Sequence, residues 1–141
     1  MKMFPANSRP DNVLINRYTT KEGILHHTDG PRYVEQVAII SLGADTIISF
    51  RRNLKSNQIG IEFGGDVFSV ILKARSVLFF AKEIYSEYVH GIEAGIDEQI
   101  VGGYGECLNE HLVGLKEGDI IMRGVRTSIT LRKIIDDQRT H

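Results

Sequence analysis

Short runs of Val, Ile, Phe and Tyr, each stopped within a few residues by Gly, Pro, Asp or Asn, recur along this chain and leave little room for helix. The clearest span Val13–Tyr18, Val37–Leu42, Thr46–Phe50, Val67–Leu72, Ser76–Phe80, Glu87–Ile92 and Thr127–Ile134. β-Branched and aromatic residues suit the pleated, half-buried surface of a sheet, and the small polar residues between them suit turns. Tyr33–Ile40 has a spacing that a short helix could share, but its β-branched content and the Gly43-Ala44-Asp45 turn beyond it favour extended chain. Many short strands with little helix predict an all-β domain, a sandwich or a barrel.

A length of 141 residues fits one domain, spanning residues 1–141. Residues 1–12 hold Pro5 and Pro10 and read as irregular, whereas residues 93–118 hold Gly95, Gly102, Gly103, Gly105 and Gly114 and read as a long loop or insert. With 42% hydrophobic and 25% charged residues, the chain can bury a single interior. Its net charge of −1 lacks the basic excess of a dedicated phosphate binder, so any nucleic-acid contact must come from local patches. Cys107 is the single cysteine and cannot form an internal disulfide, which points to an intracellular location, nuclear or cytoplasmic. No apolar run is long enough to span a bilayer and the first residues lack a signal-peptide plan, so a soluble chain with no membrane partner is expected.

His27 and Asp29 stand two apart in a segment read as extended, which sends both side chains to one face and His26 to the other. An imidazole and a carboxylate together are two thirds of the two-His-one-carboxylate triad that holds non-haem Fe(II) with positions left open. The same three residues also suit a surface turn, since Asp29-Gly30 is a turn signal. His90 is the best third ligand, because it lies within an alternating strand and Gly91 beside it permits close approach. A half-buried structural histidine is its alternative. His111 falls in the presumed insert and His141 at the chain end.

In Arg126-Thr-Ser-Ile-Thr-Leu-Arg132, strict alternation places Arg126, Ser128, Thr130 and Arg132 on one face and Thr127, Ile129 and Leu131 on the other. Either the polar face is solvated over an apolar interior, or it lines an enclosed site where guanidinium groups capture a carboxylate. Leu14, Asn16 and Tyr18 likewise share a face, on an ordinary edge strand or beside such a site. Arg51, Arg52 and Lys55 form a small basic run, either a solvated turn or a phosphate contact.

The order of these pieces is informative: Leu14-Ile-Asn16-Arg-Tyr18, then Gly23-Ile-Leu-His-His27-Thr-Asp29-Gly-Pro31, then Ile40-Ser-Leu-Gly43, His90-Gly91, and Arg126-x5-Arg132. From about Asn12 to Ile134 the chain resembles the AlkB family of Fe(II)- and 2-oxoglutarate-dependent dioxygenases. Its phrases His27–Tyr33, Ile40–Gly43 and Arg123–Arg132 look closest to the subgroup of the sixth vertebrate AlkB homologue. The resemblance implies a double-stranded β-helix, or jelly roll, with iron held by His27, Asp29 and His90. It also implies that Asn16, Tyr18 and Arg126 contact 2-oxoglutarate, with Ser128 and Arg132 completing the wall near co-substrate or substrate. The implied activity is oxidative dealkylation of DNA or RNA, with molecular oxygen as the other co-substrate.

This sequence departs from the family pattern in three places. Ser128 stands where some members carry Asn. The separation between His90 and Arg126 is long for the family at large but suits the subgroup, and residues 93–118 would fill it. The chain begins almost at the first co-substrate strand, so the segment with which relatives grip nucleic acid is expected to be absent or replaced by another element. The same site acting on a protein or small molecule, and a core kept for binding without turnover, are the alternative expectations.

Overall fold

A computed structural model describes residues 3–55 and 63–136. Among these residues eleven strands run in chain order: β1 (Asn12–Tyr18), β2 (Ile24–His27), β3 (Tyr33–Gly43), β4 (Thr46–Asn53), β5 (Phe63–Leu72), β6 (Ser76–Ala81), β7 (Tyr88–Ile92), β8 (Glu98–Ile100), β9 (Glu106–Cys107), β10 (Ile120–Met122) and β11 (Arg126–Ile134). Each of the seven strands expected from the sequence has its counterpart, and Tyr33–Ile40 is extended. Glu87 instead ends a short helix, α1 (Glu83–Glu87), too brief for any helical period to show in the sequence. Among the described residues, no helix is long and apolar enough to cross a membrane.

Two sheets face each other, one ordered β1-β11-β3-β6 and the other β2-β7-β4-β5-β9. The chain passes back and forth between them, with β1, β3, β6 and β11 in the first and β2, β4, β5 and β7 in the second, which is the winding of a jelly roll. Between the sheets lies the main core of Val37, Ile39, Ile48, Phe50, Leu72, Phe80 and Tyr88, with Phe50 stacked on Phe68 at 4.8 Å between ring centroids. Burying each large apolar side chain contributes about 1.5–3 kcal/mol. Ile39, Ile48 and Ile92 of this core also line a cavity between the sheets.

The segment 93–118 is not a bare loop. It carries β8, which pairs with β10, and β9, which runs parallel to β5. Its Val101, together with Ile121 of β10, packs onto Ile47 and Ile71, on the outer side of the second sheet. Two carboxamides fasten it there. Gln99 Oε1 accepts from Ile47 N–H at 2.8 Å while its Nε2 donates to Ile47 C=O at 3.0 Å. Asn109 makes the same pair of bonds with Ile71, both at 2.8 Å. Ile47 and Ile71 are register partners across β4 and β5, so each amide takes the place of a neighbouring peptide at an open margin of the ladder. Arg123 adds a clasp, donating to the carbonyls of Glu93, Ile96 and Glu22.

Candidate functional site

On β11 the usual alternation is reversed. Arg126, Ser128, Thr130 and Arg132 are buried, while Thr127, Ile129 and Leu131 are only half-buried. Antiparallel pairing with β1 sets Tyr18 opposite Arg126, Asn16 opposite Ser128, Leu14 opposite Thr130 and Asn12 opposite Arg132. The polar face of the strand therefore looks into the barrel. It lines a cavity of about 280 Å³ that also receives His27, Asp29 and His90, so all eight site residues expected from the sequence stand around one space.

The three expected metal ligands come from two elements. His27 closes β2 and pairs in register with His90 on β7, their ring centroids 4.4 Å apart. Asp29 lies just past the end of β2 and turns back toward them, with Oδ2 3.6 Å from His90 Nε2. Two donors on one small cation stand roughly 3–3.5 Å apart, so this spacing suits a shared ion. The Nδ1 atom of His27 lies 2.8 Å from Leu25 C=O. A carbonyl only accepts, so Nδ1 carries the proton and Nε2 keeps the lone pair that a metal needs.

His90 is buried among Phe50, Phe80 and His27, and burial, with the neighbouring histidines, pushes its pKa down to about 3. It is therefore neutral and able to ligate at physiological pH. Asp29 Oδ2 is buried with no hydrogen-bond partner among the described residues. A buried carboxylate oxygen left in this way is costly unless a cation completes it. Among the described residues no three His, Cys, Asp or Glu side chains are already closed into a metal cage. The donor set nonetheless fits a divalent ion: one oriented imidazole, one neutral imidazole and one orphaned carboxylate oxygen.

Arg132 and Arg126 occupy opposite ends of the polar face and do different things. Arg132 donates to Asp29 Oδ1 at 3.1 Å and, through Nε and Nη2, to Asn12 Oδ1, and its guanidinium lies 4.2 Å over the Tyr33 ring. It holds Asp29 while Asn12 and Tyr33 hold it in place. Arg126 donates to Ser41 Oγ at 2.9 Å and lies 5.7 Å from the Tyr18 ring centroid, while its Nε has no hydrogen-bond partner among the described residues. Burial draws its pKa down, but an arginine stays charged. Arg126 is thus a buried cation with donor capacity to spare, suited to an incoming carboxylate.

Three contributors escaped the sequence reading. Asn12 lies on the same face as Leu14, Asn16 and Tyr18, so its alternation could have flagged it. Ser41 was equally accessible by period, whereas Thr130, which also lines the cavity, was already on the polar face read from the alternation. Tyr85, which donates to Gly30 C=O at 2.7 Å and so clamps the turn after Asp29, left no local signal. The basic run divides: Arg52 faces Glu87, Asp66 and Glu83, with Nη2 2.5 Å from Glu87 Oε2, while Arg51 lies beside His26 on the opposite side of the sheet. Neighbours on a strand point apart, so these arginines form no single patch. His111 is exposed outside the cavity, and His141 lies outside the described residues.

No protein-family model matches the chain. Its sequence is 31% identical over 137 residues to the probable RNA/DNA demethylase ALKBH6 of Danio rerio, covering 92% of this chain and 55% of that protein. It is 28% identical over 126 residues to the tRNA (carboxymethyluridine(34)-5-O)-methyltransferase alkbh8 of Xenopus tropicalis, covering 89% of this chain and 18% of that one. The Macaca fascicularis protein of the same description is 26% identical over 129 residues, with the same coverage. The chain spans about half the length of the first relative and under a fifth of the other two.

Proposed function

The chain belongs to the AlkB family, and from that premise we propose that it is an Fe(II)- and 2-oxoglutarate-dependent dioxygenase that dealkylates DNA or RNA. The observation that carries this reading is the buried polar face of β11 set across one cavity from His27, Asp29 and His90. A strand that turns its arginines inward and its isoleucine outward needs a charged or polar occupant to offset the desolvation.

In this reading His27 Nε2, His90 and Asp29 Oδ2 hold the iron. Arg126 takes the free carboxylate of 2-oxoglutarate, with Tyr18, Asn16 and Ser128 supplying further hydrogen bonds. Arg132 binds Asp29 Oδ1, which leaves Oδ2 for the metal, and Asn12 and Tyr33 fix Arg132 in turn. Bound Fe(II), with 2-oxoglutarate and molecular oxygen, supplies oxidation of an N-alkyl carbon, giving succinate, carbon dioxide and an aldehyde. Ile24, Ile39, Ile48 and Ile92 form the apolar part of the wall and limit water around the reacting carbon. For a duplex substrate the alkylated base must leave its stack, at a cost of a few kcal/mol that favours damaged or single-stranded targets. The setting is intracellular, nuclear or cytoplasmic, where nucleic acid is available.

Anaerobic titration of Fe(II) into the protein with 2-oxoglutarate should develop the visible charge-transfer band of the chelate, and His27→Ala should abolish it. Succinate release should then be stimulated by methylated oligonucleotides and not by methylated peptides. A protein that develops no band, or that answers only to peptides, overturns respectively the cofactor or the substrate assignment.

A further inference from the structure

The second sheet has a cavity behind it as well as in front. Across β2, β7 and β4 the inward row is His27, His90 and Phe50, and the next row, facing out, is His26, Gly91 and Ser49. Gly91 is required here: a Cβ at that position would stand 2.9 Å from His26 N and 3.0 Å from His26 Cγ. Because it is glycine, the His26 ring lies across β7 and its Nε2 reaches Ser49 Oγ on β4 at 2.8 Å. That pair forms the floor of a cavity of about 600 Å³ between the sheet and the segment 93–118, with Arg51 on the same wall and Gly103 and Tyr104 as its roof.

We propose that this rear cavity is a second binding site, for an organic anion with a flat ring and of about mononucleotide size. Three features select that class. The volume lies in the range of small-molecule pockets, roughly 300–1,000 Å³. The floor is polar, with the Arg51 guanidinium, the His26 ring and the Ser49 hydroxyl side by side, and a guanidinium suits phosphate or carboxylate oxygens. The walls are apolar: Ile24 and Ile92 line it, and Leu25 stands at its rim 89% exposed, a bare apolar lip that a ring could cover. Glu93 is the acidic group lining the cavity, and it is engaged with the Tyr104 hydroxyl and faces the Arg123 charge, which blunts its repulsion of an anion. The site shares no residue with the front wall except Ile24 and Ile92 of the intervening strands and does not depend on a metal.

The metal-free protein titrated with adenosine monophosphate and followed by amide NMR tests this site. Saturable shifts are expected at Leu25, His26, Ala94, Gly103 and Tyr104, with inorganic phosphate and adenosine each binding at least tenfold more weakly. Arg51→Met should weaken binding tenfold or more. Ala94→Trp, which fills the cavity from an exposed position without touching Arg51, should block it even if the arginine variant does not fold. Arg126→Met should leave it unchanged. A short single-stranded oligonucleotide that binds more tightly than the mononucleotide would identify a nucleic-acid strand as the source of the anion; the reverse order would identify a free nucleotide. Absence of saturation by about 10 mM, where the binding free energy is only about −2.7 kcal/mol, overturns the proposal. So do shifts confined to the front cavity, or phosphate binding as tightly as the nucleotide.

Discussion

Strands β4 and β11 look at each other across the same interior and obey opposite rules. β4 sends Ile48 and Phe50 inward, as a strand over a core should, and Phe50 is in contact with Phe68, Phe80 and His90. β11 sends Arg126, Ser128, Thr130 and Arg132 inward and leaves Ile129 and Leu131 half-exposed on its back. One wall serves cohesion and the other, under the function proposed above, serves a ligand. Burial by itself therefore does not identify a core strand; what the buried atoms are bonded to does.

The contrast can be broken from either side. His27→Ala should lower turnover by roughly a thousandfold or more, equivalent to about 4 kcal/mol of transition-state stabilisation, while changing the denaturation midpoint little. Phe50→Ala should do the opposite, removing about 3–5 kcal/mol of stability in urea denaturation. If the histidine variant unfolds as readily as the phenylalanine variant, the two walls are not distinct in the way described. Arg126→Met should raise the KM for 2-oxoglutarate tenfold to a hundredfold, in line with about 1.5–3 kcal/mol for a charged hydrogen bond, and leave the metal-free protein no less stable. A drop in stability instead would mean that the Arg126 bond to Ser41 matters more than its unmet donor. Gly91→Ala should cost about 1–3 kcal/mol by overpacking against His26, and Gly91→Ser no less.

A further test is the pH dependence of stability. His90 has a depressed folded-state pKa, so the unfolded chain binds a proton that the native state refuses between about pH 6.5 and about pH 3. Stability of the metal-free protein should fall as pH falls through that window, by at most about 1.4 kcal/mol per unit. His90→Asn should flatten the slope, and an unchanged slope would move the titrating group elsewhere.

Much of this contrast was legible in the residues. The alternation from Arg126 to Arg132 is plain in the sequence, but a period of two divides a strand into faces without saying which face is wet. Only the order of distant motifs, read as a family resemblance, turned the arginines inward. The pairing of Arg132 with Asp29, 103 residues apart, depends on closing the barrel and could not be read locally. The rear cavity was hidden for another reason. Arg51 and Arg52 look like one basic patch in a string of letters, yet adjacent residues on a strand serve opposite sides, and the partner that gives Arg51 its setting, His26, belongs to another strand.

The carboxamides of Gln99 and Asn109 have a consequence for how this protein behaves in a crowded solution. A sheet whose peptide groups stand open at the margin is a template on which another chain can grow a strand. By occupying the donors and acceptors of Ile47 and Ile71, two side chains cap those positions of the template and give a stranger's backbone nothing to hold there. They do so without lengthening the ladder, so protection against aggregation is built from two residues rather than from another strand.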